Sequence, residues 1–406
     1  MKIEPRTLKG FRDFLPQDTR KRQFVISKLK KTFELFGFEP LETPTLEYED
    51  ILLGKYGEEG DKLMYRFRDN GDRNVALRYD QTVPLARVIA QHKNDISFPF
   101  KRYQIQNVFR ADNTQKGRFR EFLQCDIDTV GTDSVQADIE ILQLISQAFK
   151  SLGFTSFSIF LNDRSIFDGI PKEGIAIIDK LKKIGKDGVI NQLQERNIDP
   201  ALFEQVTLAQ PTERLQKILD STQNTFFEPT LARGLDYYTA TIIEVEVEGY
   251  TAGSVGGGGR YDTLIGMFTR STSSGQAENI PAVGFAFGFD RVIDAMEELK
   301  LFPDDISRKT VLVTIFDPNH AEYSGRIVQD LRSKGINSEL YLDENAKMDK
   351  QLKYADKNNF TYAVIAGPEE VQNNTAVLKN LRARSQETLH TTELANAITV
   401  QSQTSS

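Results

Sequence analysis

Cysteine and histidine are scarce in this 406-residue chain, which contains one cysteine, Cys125, and three histidines. A single thiol excludes an intrachain disulfide framework and a cysteine-rich zinc or iron–sulfur site. The histidines, His92, His320 and His390, lie far apart and show none of the short spacings that are typical of metal ligands. We therefore expect no metal site built from the protein's own cysteine or histidine side chains.

Long hydrophobic runs are also missing. The longest apolar stretch, near residues 280–289, is interrupted by proline and glycine and is far shorter than the roughly 18 residues that a membrane span needs. The opening sequence, MKIEPRTLKGFRDFLP, has no apolar core of the kind found in secretory signals. Together with the single cysteine, these features predict a protein of the reducing cytoplasm that has no membrane contact.

The overall charge is acidic, with 51 lysines and arginines against 58 aspartates and glutamates and a formal net charge of −7. This total argues against a protein that coats nucleic acid through overall positive charge. Residues 100–120 depart from the balance, because they contain a single acidic residue, Asp112. The basic residues of this segment are Lys101, Arg102, Arg110, Lys116, Arg118 and Arg120. The local excess marks the segment as a candidate site for an anionic ligand.

Changes in periodicity along the chain predict two domains and a tail. Residues 1–305 combine helices with β-rich segments, and residues 165–225 within them show helical periodicity, which predicts a helical insertion. In residues 306–398, strands and helices alternate, which predicts a small α/β domain with a mostly parallel sheet. We expect residues 399–406 to be a disordered tail.

Two β-rich segments, residues 100–110 and 118–130, flank a polar loop. Period-two geometry places alternate side chains of the second segment on opposite faces. One face is apolar, with Phe119, Leu123, Cys125 and Ile127; the other carries Arg118, Arg120, Phe122, Gln124, Asp126 and Asp128. With Arg110 at the end of the first segment, the polar face suits a nucleotide, since guanidinium groups bind phosphate and a phenyl ring stacks on a base. The alternative is a charged, exposed sheet face with ion pairs.

Two other segments place polar or aromatic groups where a second ligand could bind. Residues 77–87 put Asp80 and Thr82 immediately before a predicted helix, where N-capping would explain them equally well. Residues 231–245 put Arg233 ahead of Tyr237 and Tyr238, although one core tyrosine beside a surface arginine would give the same pattern.

Glycine-rich segments follow. Residues 254–262 contain four consecutive glycines, which allow a backbone to approach a ligand closely but lack the spacing of a P-loop. A flexible surface loop is the alternative. Residues 282–293 form a strand-to-helix junction with Arg291 just inside the helix; tight helix–sheet packing would explain the glycines there but not the arginine.

One helix of the second domain carries a basic and aromatic pattern. Lys347, Lys350, Tyr354 and Lys357 have near-helical spacing and could form a stripe that binds RNA. A solvated helix face is the alternative.

Taken together and in this order, the motifs resemble the histidyl-tRNA synthetase family of class II aminoacyl-tRNA synthetases. TPTLE (43–47), FRADNTQKGRFREF (109–122) and GFAFGFDR (284–291) resemble the three class motifs, and LRYDQT, QCDID, RGLDYY and GGGRYD resemble the histidine-specific signatures. The resemblance implies an α+β catalytic domain with an antiparallel sheet and a small C-terminal α/β anticodon-binding domain.

The same resemblance implies roles for individual residues. Histidine would be bound by Asp80, Thr82, Arg110, Gln124, Asp128, Arg233, Tyr237, Tyr238 and Tyr261. ATP would be bound by Arg110, Asp112, Arg118, Phe122 and Arg291. Arg110 and Arg233 would act in catalysis, Gln115 and Lys116 would approach the tRNA acceptor end, and Lys347, Lys350 and Tyr354 would lie on the anticodon side.

The implied reaction joins L-histidine to tRNA(His), with ATP and Mg²⁺ as substrate and companion ion and without a protein-bound prosthetic group. A homodimer is implied by the first class motif. Two non-catalytic alternatives remain: a synthetase-like regulatory subunit of histidine biosynthesis, and a histidine or RNA sensor. The four arginines at 110, 118, 233 and 291 and the terminal domain favour the enzyme.

Overall fold

Two units, Met1–Phe302 and Pro303–Ser406, make up the chain. The structure is a computed structural model that describes residues 3–114, 118–232, 237–269, 278–303, 306 and 309–404. The expected boundary, between residues 305 and 306, lies a few residues beyond this division.

Most strands of the first unit form one eight-stranded sheet in the order β1-β5-β6-β11-β10-β9-β7-β8. The inner pairings are antiparallel, and only the outer pairs β1–β5 and β7–β8 are parallel. A three-stranded sheet in the order β2-β4-β3 lies apart from it. The strands are β1 (Glu39–Pro40), β2 (Leu46–Tyr48), β3 (Arg66–Arg68), β4 (Asn74–Leu77), β5 (Phe100–Phe109), β6 (Glu121–Val130), β7 (Phe157–Asp163), β8 (Thr225–Phe227), β9 (Thr241–Val247), β10 (Gly256–Arg260) and β11 (Ala282–Phe287).

Helices α1 and α5 pack with one face of the large sheet. In α1, Val25, Leu29 and Phe33 recur every four residues and are buried, as the amphipathic pattern predicts. The helix ends before Gly37, whose φ of +75° suits a residue without a side chain. The helices of this unit are α1 (Pro16–Leu35), α2 (Glu49–Leu52), α3 (Gly57–Lys62), α4 (Thr82–Gln91), α5 (Val135–Ser151), α6 (Lys172–Ile178), α7 (Leu181–Glu195), α8 (Ala201–Thr207), α9 (Glu213–Ser221) and α10 (Phe289–Glu298).

The segment expected to be a helical insertion contains α6 to α9, and its helices contribute to two different hydrophobic cores. Phe203 and Val206 of α8 share a core with Val189 and Leu193 of α7. Leu215 of α9 instead lies in the main core, beside α1 and α5. The insertion therefore ends with a helix that is part of the main packing, which periodicity alone does not reveal.

The second unit is a five-stranded sheet in the order β13-β12-β14-β15-β16 with flanking helices. Pairings β12–β13 and β12–β14 are parallel, whereas β14–β15 and β15–β16 are antiparallel, so the sheet is mixed rather than mostly parallel. The predicted β-α-β-α-β series does not include the last two strands, β15 and β16. The elements are β12 (Lys309–Val313), α11 (Ala321–Ser333), β13 (Ser338–Leu340), α12 (Met348–Lys357), β14 (Phe360–Ile365), α13 (Pro368–Asn373), β15 (Thr375–Asn380), β16 (Ser385–His390) and α14 (Leu394–Thr404).

The prediction of a disordered tail from residue 399 is wrong up to Thr404, because α14 continues to that residue. Leu394, Ala395 and Ile398 of this helix are buried in the core of the second unit. Burial of one face of the helix stabilises the turns that follow, although the polar sequence TVQSQT alone gives no helical signal.

Candidate active site

A cavity of about 340 Å³ opens on the face of the large sheet that the polar residues of β6 occupy. The alternation predicted for this strand holds from Gln124 to Asp128: Cys125 and Ile127 lie in the main core, while Gln124 and Asp128 line the cavity. Phe119 and Leu123, which were expected on the apolar face, also line the cavity, whereas Arg120 donates from Nε to the Asp112 carbonyl oxygen at 3.0 Å. Of the predicted site residues, the cavity brings together Asp80, Thr82, Arg110, Asp112, Arg118, Phe122, Gln124, Asp128, Tyr237, Tyr238, Tyr261 and Arg291.

Asp80 lines the cavity and is almost completely buried. Its carboxylate accepts hydrogen bonds from the Tyr56 hydroxyl at 2.9 Å, the Tyr237 hydroxyl at 3.3 Å and the Val83 backbone N–H at 3.1 Å. The last bond satisfies a backbone N–H in the first turn of α4, but the N-cap residue of this helix is Gln81, which makes no side-chain cap bond, so neither Asp80 nor Thr82 is the N-cap residue. Burial raises the pKa of Asp80, and the hydrogen bonds oppose that rise.

Asp128 is held from two sides. The Tyr261 hydroxyl donates to its Oδ1, and Nη2 of Arg102 lies 2.7 Å from its Oδ2. The Arg102 side chain is fully buried and also donates from Nη1 to Oε1 of Gln104 at 3.2 Å. Burial raises the pKa of Asp128 to about 6, while Arg102 acts in the opposite direction. The cavity wall therefore contains a carboxyl group whose partners fix its position.

Gly284 of β11 makes room for that carboxyl group, because it lies opposite Asp128 in the sheet register. A Cβ at Gly284 would lie only 1.9 Å from Oδ1 of Asp128 and 2.9 Å from the backbone oxygen of Ile127. Only glycine fits between the strand and the carboxyl group.

Arginines also line the cavity. Nε of Arg110 donates to the Tyr79 carbonyl oxygen at 3.0 Å, and its guanidinium carbon lies 5.2 Å from the ring centroid of Phe122. Arg291 is the third residue of α10, in its first turn, and donates from Nη1 to the Ser254 carbonyl oxygen at 2.8 Å. A cationic side chain near a helix N-terminus suits an anionic ligand.

Arg118 is more exposed than these two arginines. Its Nε lies 3.6 Å from Oδ2 of Asp112, and about half of its side chain is open to solvent. If this were only a charged, exposed sheet face, ion pairs within the protein would satisfy its cationic side chains. Instead, the half-exposed guanidinium group of Arg118 lines the same cavity as Arg110 and Arg291.

Some predicted residues lie elsewhere. Arg233, Gln115 and Lys116 lie outside the described residues. In the second unit Lys347 and Lys350 are exposed, and Lys350 pairs with Asp343 at 3.1 Å. Tyr354 is partly buried and donates to Glu339 at 2.5 Å, so the predicted stripe combines open lysines with a packed tyrosine.

The sequence did not predict the residues that contact the carboxyl groups of the site and fix their positions. Arg102 and Gln104 are two residues apart on β5 and so share a face of the strand. Their proximity to Asp128 depends on the register of β5 with β6, which a single sequence does not show. Tyr56 precedes a short helix and gives no signal of its contact with Asp80. Asp126 was placed on the polar face without a role, and it lines the cavity.

Within the described ranges, no three histidine, cysteine, aspartate or glutamate side chains form a cluster that could hold a metal ion. A Mg²⁺ ion held mainly by the phosphate oxygens of a nucleotide would need no such cluster. Among the same residues, no helix is long and apolar enough to cross a membrane.

Comparisons with known proteins agree over nearly the whole chain. The family model described as histidyl-tRNA synthetase matches residues 10–175 and 169–292, and the model described as anticodon binding domain matches residues 310–401. A protein of Christiangramia forsetii named histidine–tRNA ligase is 38% identical, over 98% of this chain and 100% of the relative. One from Cytophaga hutchinsonii with the same name is 39% identical, over 93% and 96%.

A solved structure gives the same result. The crystal structure described as histidyl-tRNA synthetase from Nostoc sp. PCC 7120 is 28% identical and superposes with a TM-score of 0.83, covering 98% of this chain and 100% of the other. The predicted fold class, an α+β domain with a largely antiparallel sheet followed by a small anticodon-binding α/β domain, is confirmed.

Proposed function

The chain belongs to the histidyl-tRNA synthetase family, and from this membership we propose that it activates L-histidine with ATP and transfers the histidyl group to the 3′ end of tRNA(His). The observation that carries the proposal is one cavity lined by buried carboxyl and tyrosine groups together with arginines and Phe122. Such a cavity suits an amino acid with an imidazole side chain beside a nucleotide.

Histidine binding is assigned to the carboxyl part of the cavity. An α-ammonium group has three N–H donors, and Asp80, Thr82 and Gln124 supply acceptors for them. The imidazole ring lies toward Asp128, Tyr238 and Tyr261. Because imidazole can donate at one nitrogen and accept at the other, a carboxyl group and a phenol are suitable partners.

ATP binding is assigned to the arginine part. Arg110 binds the α-phosphate and the histidine carboxylate, while Arg118 and Arg291 bind the outer phosphates. Phe122 stacks on the adenine ring. Asp112, which neighbours Arg118, orients that arginine. Mg²⁺ bound to the phosphates would neutralise part of their charge.

The reaction has two steps. A carboxylate oxygen of histidine attacks the α-phosphorus of ATP, forming histidyl-adenylate and releasing pyrophosphate. A hydroxyl group of the terminal ribose of tRNA then attacks the activated carbonyl carbon, and AMP leaves. Positioning and charge neutralisation supply the catalysis, and we assign them to Arg110 and Arg233. Gln115 and Lys116 are assigned to the acceptor end of the tRNA.

The remaining assignments concern partners and location. The second unit, which matches the anticodon-binding family, is proposed to contact the anticodon, with Lys347, Lys350 and Tyr354 on that side. A homodimer is proposed through the small sheet, whose Tyr48 and Phe67 are about half exposed. The proposed location is the cytoplasm, where tRNA is charged.

Histidine-dependent exchange of pyrophosphate into ATP tests the first step, and charging of tRNA(His) tests the second. A regulatory subunit or a sensor would bind histidine without exchange. The anticodon-domain match at residues 310–401 and the curated relatives named as ligases favour the enzyme. Arg233→Ala should slow exchange severely while the unfolding temperature stays the same; near-normal exchange in this variant would reject the assigned role.

A further inference from the structure

A buried ion pair lies next to Tyr261 in the chain, and neither of its residues lines the cavity. Asp138, in the first turn of α5, is fully buried, and Arg260, the last residue of β10, is 1% exposed. Nε of Arg260 donates to Oδ1 and Oδ2 of Asp138 at 3.2 and 3.1 Å, and its Nη2 donates to Oδ2 at 2.9 Å. The proposed function gives this pair no role.

The guanidinium group of Arg260 has further partners beyond Asp138. Its Nη2 donates to the Ser134 carbonyl oxygen at 3.1 Å. Its Nη1 donates to the Thr132 carbonyl oxygen at 3.3 Å and to Oδ1 of Asp262 at 3.1 Å. All five N–H groups of the side chain therefore have acceptors. Because so many directional contacts converge on one side chain, they fix the end of β10 against the start of α5.

The end of β10 carries groups of the candidate active site. Tyr261 follows Arg260 directly, and its hydroxyl donates to Asp128. The carbonyl oxygen of Arg260 also accepts from the backbone N–H of Thr239 at 2.8 Å, and Thr239 follows Tyr238, which lines the cavity. The position of Arg260 therefore affects two tyrosines that are assigned to histidine.

The segment predicted as a helical insertion contacts the same carboxylate through Arg214 of α9. Nη2 of Arg214 donates at 2.6 Å to Oδ2 of Asp138, the oxygen that also accepts from Arg260. About 30% of the Arg214 side chain is exposed, whereas the other two side chains are enclosed. Two guanidinium groups that share one oxygen compete for it, so removal of Arg214 lets the carboxylate shift toward Arg260.

We propose that Arg214 is a positioning residue for histidine, which sets the position of Tyr261 through Asp138 and Arg260. The inference rests on the proposed function, in which Tyr261 binds the imidazole ring. A shift of Asp138 changes the contacts of Arg260, and the residue that follows Arg260 moves with it. The insertion thereby contributes to the first step of the reaction, before any tRNA is bound.

Pyrophosphate exchange by the full chain tests the proposal, with the KM for histidine and the KM for ATP measured separately. Arg214→Ala should raise the KM for histidine about 2- to 30-fold, the range expected for a network residue that contacts no ligand. The KM for ATP should stay the same, because the arginines assigned to ATP have partners outside this network. Arg214→Lys, which keeps a positive charge beside Asp138, should recover part of the loss.

The matched control is Lys217→Ala on the same helix. Lys217 is exposed and pairs with Glu213 at 2.7 Å, so its loss should leave both KM values unchanged. Arg214→Ala is also combined with Tyr261→Phe, which removes only the hydroxyl that donates to Asp128. If Arg214 acts through Tyr261, its effect on the KM for histidine should be smaller in this background, because effects within one network are not additive.

Three results would overturn the inference: an unchanged KM for histidine in Arg214→Ala, equal increases in the KM values for histidine and ATP, or free-energy effects of Arg214→Ala and Tyr261→Phe that add in full. Equal increases would indicate a general structural role. In each case the parent still catalyses exchange, so the proposed function survives. If the parent catalyses no histidine-dependent exchange, the proposed function fails and the inference fails with it.

Discussion

Replacement of Gly284 by alanine should damage both stability and histidine binding, through a single carboxyl group. The new Cβ would lie 1.9 Å from Oδ1 and 2.6 Å from Cγ of Asp128, and 2.9 Å from the backbone oxygen of Ile127. The backbone oxygen cannot rotate away, so the Asp128 side chain has to move. That movement separates the carboxyl group from the Tyr261 hydroxyl and from Arg102.

The size of the effect follows from these contacts. Overpacking costs about 1–3 kcal/mol, and separating a buried ion pair costs about 3–5 kcal/mol. Because the two costs overlap, we expect the free energy of unfolding of the first unit to fall by about 3 kcal/mol or more. If Asp128 also contacts the imidazole, loss of that hydrogen bond weakens histidine binding about 10- to 150-fold. Denaturant titration measures the first quantity, and calorimetry measures the second.

Gly325→Ala is the matched control, since it makes the same chemical change on α11 at a position where a Cβ would meet no heavy atom within 4 Å. Alanine in a helix interior should stabilise the second unit by about 0.5–1 kcal/mol, opposite in sign to Gly284→Ala. If Gly284→Ala unfolds like the parent and binds histidine normally, the packing around Asp128 described above is incorrect.

Three further predictions follow from charges and cores. Burial raises the pKa of Asp128 from 3.8 to about 6, so the neutral carboxyl group stabilises the fold below pH 4 and that contribution is lost as the pH rises through 6. The unfolding free energy of Asp128→Asn, relative to the parent, should therefore increase by about 2 kcal/mol between pH 4 and 7, and a constant difference would contradict this. The Arg12 guanidinium carbon lies 3.2 Å from the ring centroid of Phe119, the residue after Arg118, and Arg12 pairs at 3.0 Å with Asp290, the residue before Arg291. Arg12→Ala should therefore raise the KM for ATP about 2- to 30-fold and leave the KM for histidine unchanged. Equal increases in both KM values would refute the idea that Arg12 supports the ATP-binding arginines. Leu331→Ala should destabilise the second unit by about 2–5 kcal/mol and leave pyrophosphate exchange intact, because its side chain is fully buried in that unit; loss of exchange would contradict the assignment of activation to the first unit.

Local patterns were sufficient to predict the main elements of the fold. The buried positions Val25, Leu29 and Phe33 follow helical periodicity, and Gly37 marks the end of α1. The two long strands were predicted because their alternation is a property of consecutive residues. The last antiparallel pair and α14 were not, since β16 is mostly exposed and α14 depends on packing against the second core.

The candidate site also depends partly on local sequence pattern and partly on long-range strand pairing. Alternation along β6 determines by itself that Gln124, Asp126 and Asp128 share a face, because backbone geometry sets the direction of successive side chains. Their partners come from other strands: Arg102 reaches Asp128 through the register of β5 with β6, and Gly284 leaves space for it through the register of β11 with β6. Register depends on long-range pairing, so only the tertiary structure decided which carboxyl group is held and which is left open to the cavity.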